Sequence, residues 1–263
     1  MLGLTSQLLS SVPHVSHRFF GRVGGTSPSP WTGLNTSFTV GDSPARVEEN
    51  LARVRFQIGV PRRTLFTATQ VHGAGVVRVS AAQDPDDVAG VPADALFTTD
   101  EGVGVGVRTA DCAPILIASR DGGCVAAVHA GWRGAVGGVV EATLRALEQA
   151  GFTPGDLVAC VGPCIGLEAF EVGPEVVEQA ARVVDVNGLV TEGAGDRKHL
   201  DLGGLVVRVL ESAGISAVDR LPLCTASDTE RFFSYRKEGG RTGRQISVIA
   251  RTDPPVIDEA TFS

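Results

Sequence analysis

Six short β-rich runs follow one another at 64–69, 75–80, 94–99, 103–108, 113–119 and 124–129, and they constrain the fold more than any other feature of the chain. Consecutive strands of this length must pair into sheets, and the sheets need helices to cover them. After residue 130 the period changes. Arg133 to Ala150 is the longest helical stretch, with Val136, Val139, Val140, Leu144 and Leu147 on its apolar side and Gly151 as its C-cap. An earlier helix is capped by Ser43, takes Pro44 at its first position, aligns Val47, Leu51, Val54 and Ile58, and stops at Gly59. Further strand is expected at 157–161, then a helix opened by Gly173-Pro174 and a helix from about Asp201 to Ala213. Strands near 231–235 and 245–250 close the chain, and residues 21–37, rich in Gly, Ser, Pro and Thr, read as an ordered irregular surface loop. This pattern predicts an α/β or α+β fold of mixed β-sheets covered by helices, without giving the order of the strands. No linker or short repeat divides it, so residues 1–263 read as a single domain.

With 23 basic against 30 acidic residues the net charge is −7, which argues against nucleic acid or an anionic membrane as the main partner. No apolar run approaches the ~18 residues of a spanning helix. The first residues lack the basic start of a secretory signal, so the expected location is the cytoplasm. Five scattered cysteines do not resemble a disulfide framework, and in a reducing compartment Cys112 stays available as ligand or nucleophile.

Three soft-metal ligands stand in glycine-punctuated, strand-like segments: His72 in Thr-Gln-Val-His-Gly, Cys112 in Thr-Ala-Asp-Cys-Ala-Pro, and His129 in Val-His-Ala-Gly-Trp-Arg-Gly. Two imidazoles and a thiolate supply three of zinc's four tetrahedral positions, the pattern of a catalytic rather than a structural site. Their spacings match no short zinc signature, and the same residues also suit a small buried cysteine and hydrogen-bonded core histidines.

Asp94 and Asp111 are candidate general acids or bases. In a regular strand Asp111 and Cys112 point to opposite faces, so Asp111 is also a candidate for orienting the site from behind. Arg133 opens the long helix after His129, where backbone amides and a guanidinium would attract an anion; the plain alternative is a solvated first-turn residue beside a packing Trp132. The segment 234–244 gathers Arg236, Lys237, Arg241 and Arg244, either an anion-binding loop or an ordinary hairpin tip. Cys124, Cys160 and Cys224 read as structural, Cys164 as a turn residue, and His199 as a capping or packing residue.

Taken in order, these segments resemble the YfiH family, also called the laccase-domain or multicopper polyphenol oxidoreductase family. The resemblance runs from His17 to about Ala250. It is carried by Arg22-Val-Gly-Gly-Thr-Ser, Gln70-Val-His-Gly, Ala93-Asp-Ala-Leu, Thr109-Ala-Asp-Cys, His129-Ala-Gly-Trp-Arg-Gly, Gly162-Pro-Cys-Ile-Gly, Phe170-Glu-Val-Gly, His199-Leu-Asp-Leu and Phe232-Phe-Ser-Tyr-Arg. It implies two packed β-sheets with helices outside, and metal binding at His72, Cys112 and His129, with zinc the usual ion. The chain departs from the family's pattern at Arg18 and at Thr36-Ser37-Phe38, which bears on substrate contacts there.

A multicopper laccase needs many more imidazoles than five, and the one methionine, Met1, is not available as the common axial ligand of a lone blue copper; weak copper-dependent phenol oxidation stays open. The family resemblance implies instead phosphorolysis of adenosine, inosine and methylthioadenosine to a base and a (methylthio)ribose 1-phosphate, with deamination of adenosine. Zinc would activate a water for attack at C6 of adenine. Phosphorolysis needs an anion site, for which Arg133, Arg236 and Arg244 are the candidates, and a donor to the leaving base, for which Asp94 and Asp111 are. Two rivals remain: a cysteine hydrolase using Cys112 with His129 or His72, of the kind that edits peptidoglycan precursors, and a metal-stabilised nucleotide-binding protein without turnover.

Overall fold

The computed structural model describes residues 3–61 and 63–252. In chain order the elements are α1 (Gln7–Ser10), β1 (Val15–Phe19), α2 (Pro44–Ile58), β2 (Leu65–Phe66), β3 (Val76–Arg78), α3 (Pro85–Ala89), β4 (Ala95–Thr98), β5 (Gly104–Thr109), β6 (Ala113–Ser119) and β7 (Val125–Ala130). They continue with α4 (Trp132–Val136), α5 (Val139–Gln149), β8 (Leu157–Val161), β9 (Glu171–Val172), α6 (Pro174–Ala181), β10 (Val190–Glu192), β11 (Lys198–Leu200), α7 (Leu202–Ser212), β12 (Ala217–Arg220) and β13 (Gln245–Arg251).

The strands form a four-stranded sheet ordered β1-β13-β5-β2, a six-stranded sheet ordered β12-β8-β6-β7-β4-β3, and a small sheet ordered β10-β11-β9. Both large sheets mix parallel and antiparallel pairs. Strand β6 shows why the layers stack as they do, because every residue of Ala113–Ser119 is buried. Ile115 and Ile117 pack with Val140, Leu144 and Leu147 of α5 and Leu205, Val206 and Val209 of α7. The alternate residues Leu116 and Ala118 pack with Val105 and Val107 of β5. A strand with period-2 side chains buried on both faces must lie in an inner layer. The four-stranded sheet is covered on its other face by α2, whose Val47, Leu51, Val54 and Ile58 pack on Ile246 and Val248. Each such side chain contributes about 1.5–3 kcal/mol of burial. The result has the mixed sheets covered by helices that the sequence pattern predicts, packed sheet on sheet as the family resemblance implies.

Helix α2 begins after Ser43, carries Pro44 in its first turn and ends at Gly59 with φ +78, as expected, although the Ser43 side chain makes no capping bond. The loop 21–37 is held by Asn50 of α2. Its Nδ2 donates to Ser27 Oγ, Gly33 O and Asn35 O, and its Oδ1 accepts from Thr26 N–H.

Two expected elements differ. The helix from Arg133 to Ala150 is two helices, because Gly138 adopts φ +86 and breaks the ladder between α4 and α5. Residues 231–235 are not a strand. Phe233 exchanges both backbone bonds with the Gln245 side chain, its N–H donating to Oε1 at 2.7 Å and its carbonyl accepting from Nε2 at 3.2 Å. A side-chain amide thus replaces the neighbouring strand, and the segment turns instead. Among the described residues no helix is long and apolar enough to cross a membrane.

Candidate active site

His72, Cys112 and His129 come from one strand and two connections and meet at one place. His129 is the fifth residue of β7, Cys112 lies in the short link between β5 and β6, and His72 lies in the turn after β2. Their ligand atoms all lie within 4.8 Å of one another. Cys112 Sγ is 3.7 Å from His72 Nε2, and the two imidazoles sit edge to face with centroids 4.8 Å apart. Zinc–sulfur and zinc–nitrogen bonds in tetrahedral array set ligand atoms about 3.6 Å apart, so the donor set fits such an ion without large movement.

Asp94 organises this cluster. Its carboxylate is fully buried, accepts from His129 Nδ1 at 2.7 Å, and accepts the backbone N–H groups of Val71, His72 and Gly73 at 3.2, 2.9 and 2.7 Å. The backbone N–H of His129 also donates to the Asp94 carbonyl at 2.7 Å. One carboxylate therefore fixes the ring of one ligand and the turn of another, leaving Nε2 of His129 to face the metal position. Burial works against the ionised form, but the bonds from His129 and Gly73 outweigh it and hold the carboxyl below its ordinary value. The contacts of Asp94, one ring nitrogen and three backbone N–H groups, suit an orienting part in the cluster.

Burial also opposes a thiolate at Cys112, yet hydrogen bonds from His129 and His72 bring it down to about 6. For His129 burial disfavours the charged ring, and the bonds to Asp94 and Cys112 raise it to about 9. The surroundings thus favour the thiolate form of Cys112 and the protonated ring of His129. His72 sits at φ +58 and Asp111 at φ +89, both in the left-handed region that costs non-glycine residues energy. Gly131 completes the close packing: a Cβ there would lie 2.9 Å from His72 Cδ2 and 3.1 Å from Cys112 Sγ.

Asp111 is not in a strand. Its Oδ1 accepts from Thr225 Oγ1 at 2.6 Å, its Oδ2 from the Arg236 N–H at 2.7 Å, and its carbonyl from the Ile165 N–H at 2.9 Å. It ties three connections together behind Cys112, the orienting alternative rather than proton transfer.

A cavity of about 880 Å³ opens over the cluster, lined by His72, Cys112, His129, Arg236 and Arg244 together with Arg108. Arg236 Nη1 donates to the carbonyls of Ala169 and Glu171 and its guanidinium lies over Phe170. Arg244 Nη1 donates to the carbonyls of Thr242 and Gly243. Arg133 is exposed, lies over Trp132 at 4.6 Å and is absent from the cavity wall, so the anion role expected of it does not fit; α4 is a single short turn pointing its first arginine outward. His199 takes the expected packing role, with Nδ1 3.2 Å from the Leu167 carbonyl, and all five cysteines are free.

Sequence reasoning missed Arg108, and it gave no role to the rings of Phe38 and Tyr235, which also line the cavity. The signal for Arg108 was a lone cation ending the apolar strand Gly-Val-Gly-Val-Arg-Thr. Phe38 and Tyr235 are 47% and 56% exposed, so their rings present accessible apolar surface.

Residues 16–252 match the family described as multi-copper polyphenol oxidoreductase laccase. The chain is 39% identical over 235 residues to a purine nucleoside phosphorylase of Deinococcus radiodurans, covering 89% of this chain and 88% of that protein. It is 40% identical over 231 residues to a purine nucleoside phosphorylase of Pseudomonas aeruginosa, covering 87% and 90%. Among solved structures it superposes on YlmD from Geobacillus stearothermophilus with a TM-score of 0.87 at 26% identity, covering 95% of this chain and 99% of the other.

Proposed function

The chain belongs to the multi-copper polyphenol oxidoreductase laccase family, and on that footing we propose that it is a purine nucleoside phosphorylase with a metal centre at His72, Cys112 and His129. The observation that carries this reading is the convergence of the three ligands on the floor of a cavity whose walls bring arginines and exposed aromatic rings together. Its volume of about 880 Å³ suits a nucleoside with phosphate beside it. The oxidase reading is weaker, since the cluster offers two imidazoles where a multicopper site needs many.

Zinc, or copper competing for the same donors, would supply Lewis acidity at the cavity floor when bound. The chain's own residues do the rest. Asp94 keeps His129 and His72 oriented, and Asp111 holds the Arg236 segment against the Cys112 link. The arginines draw phosphate from solvent, and the exposed rings of Phe38 and Tyr235 offer apolar faces to a purine. In the reaction a phosphate oxygen bonds to C1′ as the C1′–N9 bond breaks. The bonding pair leaves with the purine, which ends with the proton that hydrogen phosphate brought. Deamination of adenosine to inosine is the second activity we assign to the same centre. The reading also assigns the chain to the cytoplasm, where Cys112 stays reduced.

The thiolate–imidazolium character of Cys112 and His129 favours one alternative, a cysteine hydrolase. Purified zinc-loaded protein is given adenosine with and without phosphate, its products are resolved by mass, and Cys112→Ala is run beside it. Phosphate-dependent adenine and ribose 1-phosphate, lost in the variant, support the proposal. Absence of both products from metal-loaded protein overturns it and brings peptide-precursor hydrolysis forward.

A further inference from the structure

A guanidinium in a cavity wall needs a counter-charge, a carbonyl, water or a ligand. Five arginines line the cavity, and they divide into two groups. On the outer wall Arg55 pairs with Glu48 at 2.7 Å and Arg63 pairs with Asp84. Toward the metal ligands, Arg108, Arg236 and Arg244 form no ion pair among the described residues, in a chain whose net charge is −7. Arg236 is largely satisfied by the Ala169 and Glu171 carbonyls. The other two are not.

Arg108 is the last residue but one of β5, and its Nε donates to the Thr36 carbonyl at 2.7 Å. Its Nη1 and Nη2 have no hydrogen-bond partner among the described residues, and the residue lines the cavity. Arg244 likewise uses only Nη1 and leaves Nε and Nη2 unpartnered. Its guanidinium lies over the Tyr235 ring at 5.6 Å, and burial holds it below the usual arginine range against the attraction of Cys112, Tyr235 and Asp111.

The two arginines are built into one unit. Thr36 accepts from Arg108 through its carbonyl and donates to the Arg244 carbonyl through both N–H and Oγ1, at 3.0 and 2.9 Å. Gln70, two residues before the ligand His72, clamps the Arg108 backbone, donating to its carbonyl at 2.7 Å and accepting from its N–H at 2.8 Å. The backbones of the two arginines therefore keep a fixed relation to the His72 segment, and neither guanidinium forms an ion pair among the described residues.

We infer that Arg108 and Arg244 form the phosphate site of the cavity, Arg108 donating from Nη1 and Nη2 and Arg244 from Nε and Nη2. This rests on the phosphorolytic reading above and gives to Arg108 the anion role that the sequence suggested for Arg133. Planar guanidinium forks bind tetrahedral oxyanions through paired charge-assisted bonds, which lysine reproduces only as a point charge.

The test measures initial rates against phosphate and against nucleoside, for wild type, Arg108→Gln, Arg108→Lys, Arg244→Gln and Arg133→Gln. Thermal melts with added inorganic phosphate, at constant ionic strength in chloride, give a readout independent of turnover. Arg108→Gln and Arg244→Gln are expected to raise KM for phosphate about ten- to a hundred-fold, with nucleoside KM within about twofold. Arg108→Lys recovers part of the loss, and Arg133→Gln changes neither constant. Phosphate stabilises wild type but not Arg108→Gln. If wild type phosphorolyses nucleosides and folded Arg108→Gln and Arg244→Gln keep the wild-type KM for phosphate, the inference fails and the phosphorolytic reading stands. If wild type shows no phosphorolysis but its phosphate-dependent stabilisation is lost in Arg108→Gln, the anion site stands and that reading fails. No phosphate-dependent stabilisation or saturation in wild type overturns the site itself.

Discussion

The Asp94 carboxylate and the His129 ring meet at 2.7 Å, with Asp94 fully buried and His129 nearly so. Because the same carboxylate also receives three backbone N–H groups around His72, it couples the positions of two ligands that are 57 residues apart in sequence (129 − 72 = 57). Asp94→Asn keeps the shape but removes the charge and places an amide against some of those donors. Metal affinity should fall about 10- to 100-fold, as for other partners of ligating histidines, read by titration against a competing chelator. Each N–H group left unpaired costs about 1–3 kcal/mol of stability. Wild-type metal affinity in a folded Asp94→Asn protein would contradict this account.

Gly131 separates the site from the core. Its φ of −68 is open to any residue, so Gly131→Ala carries no backbone strain. The new methyl group would press on His72 and Cys112 instead, at 2.9 and 3.1 Å. His72 is exposed and has room to move, so the cost falls on ligand geometry. The expected outcome is a stability change under about 1 kcal/mol with metal affinity at least about tenfold weaker. Equal loss of melting temperature and affinity would place the damage in the core.

How much of this was legible in sequence depended on how far each feature reaches along the chain. Helix α2 and strands β6 and β8 rest on local period and caps, and they appear where Ser43, Gly59, 113–119 and 157–161 put them. Strand β1 went unread because the strand that pairs along all of Val15–Phe19 is Gln245–Arg251, at the far end of the chain. The trio His72, Cys112 and His129 was recognisable from donor chemistry, and the fold brings it together. An orienting part was open to Asp111 in sequence, though by strand alternation for a residue that sits outside a strand at φ +89, whereas nothing pointed to one for Asp94, a carboxylate wrapped by a turn before its own strand. Arg133 looked like an anion ligand because a helix start follows His129, but which way a short helix points its first arginine is a tertiary fact.

Gln245 shows the cost of replacing a strand with a side chain. Gln245→Ala would leave both the N–H and the carbonyl of buried Phe233 without a partner. At about 1–3 kcal/mol for each orphaned group, stability in urea should drop by about 2–6 kcal/mol. Amide exchange should accelerate first at residues 233–240, which share the turn. Protection there equal to wild type would show that Phe233 has another partner.

His17 makes stability depend on pH away from the metal site. It is buried in β1, and its Nε2 accepts the Ser6 N–H at 2.9 Å, a bond that only the neutral ring can accept. Burial first, then the nearby Arg18 charge, push its pKa from 6.5 down to about 4, against a smaller upward pull from Asp219. Below pH 6.5 the unfolded chain takes up a proton that the native state refuses until about pH 4. Native stability from this residue is therefore full above pH 6.5 and falls as the pH drops toward 4, by about 3 kcal/mol in all. His17→Gln preserves an acceptor for Ser6 but cannot titrate. Urea denaturation of both proteins between pH 7 and pH 4, in the same metal state, should show the wild type losing stability relative to the variant across that window. Parallel curves would mean that His17 is protonated in the native protein and that the Ser6 bond is not what holds β1 against α1.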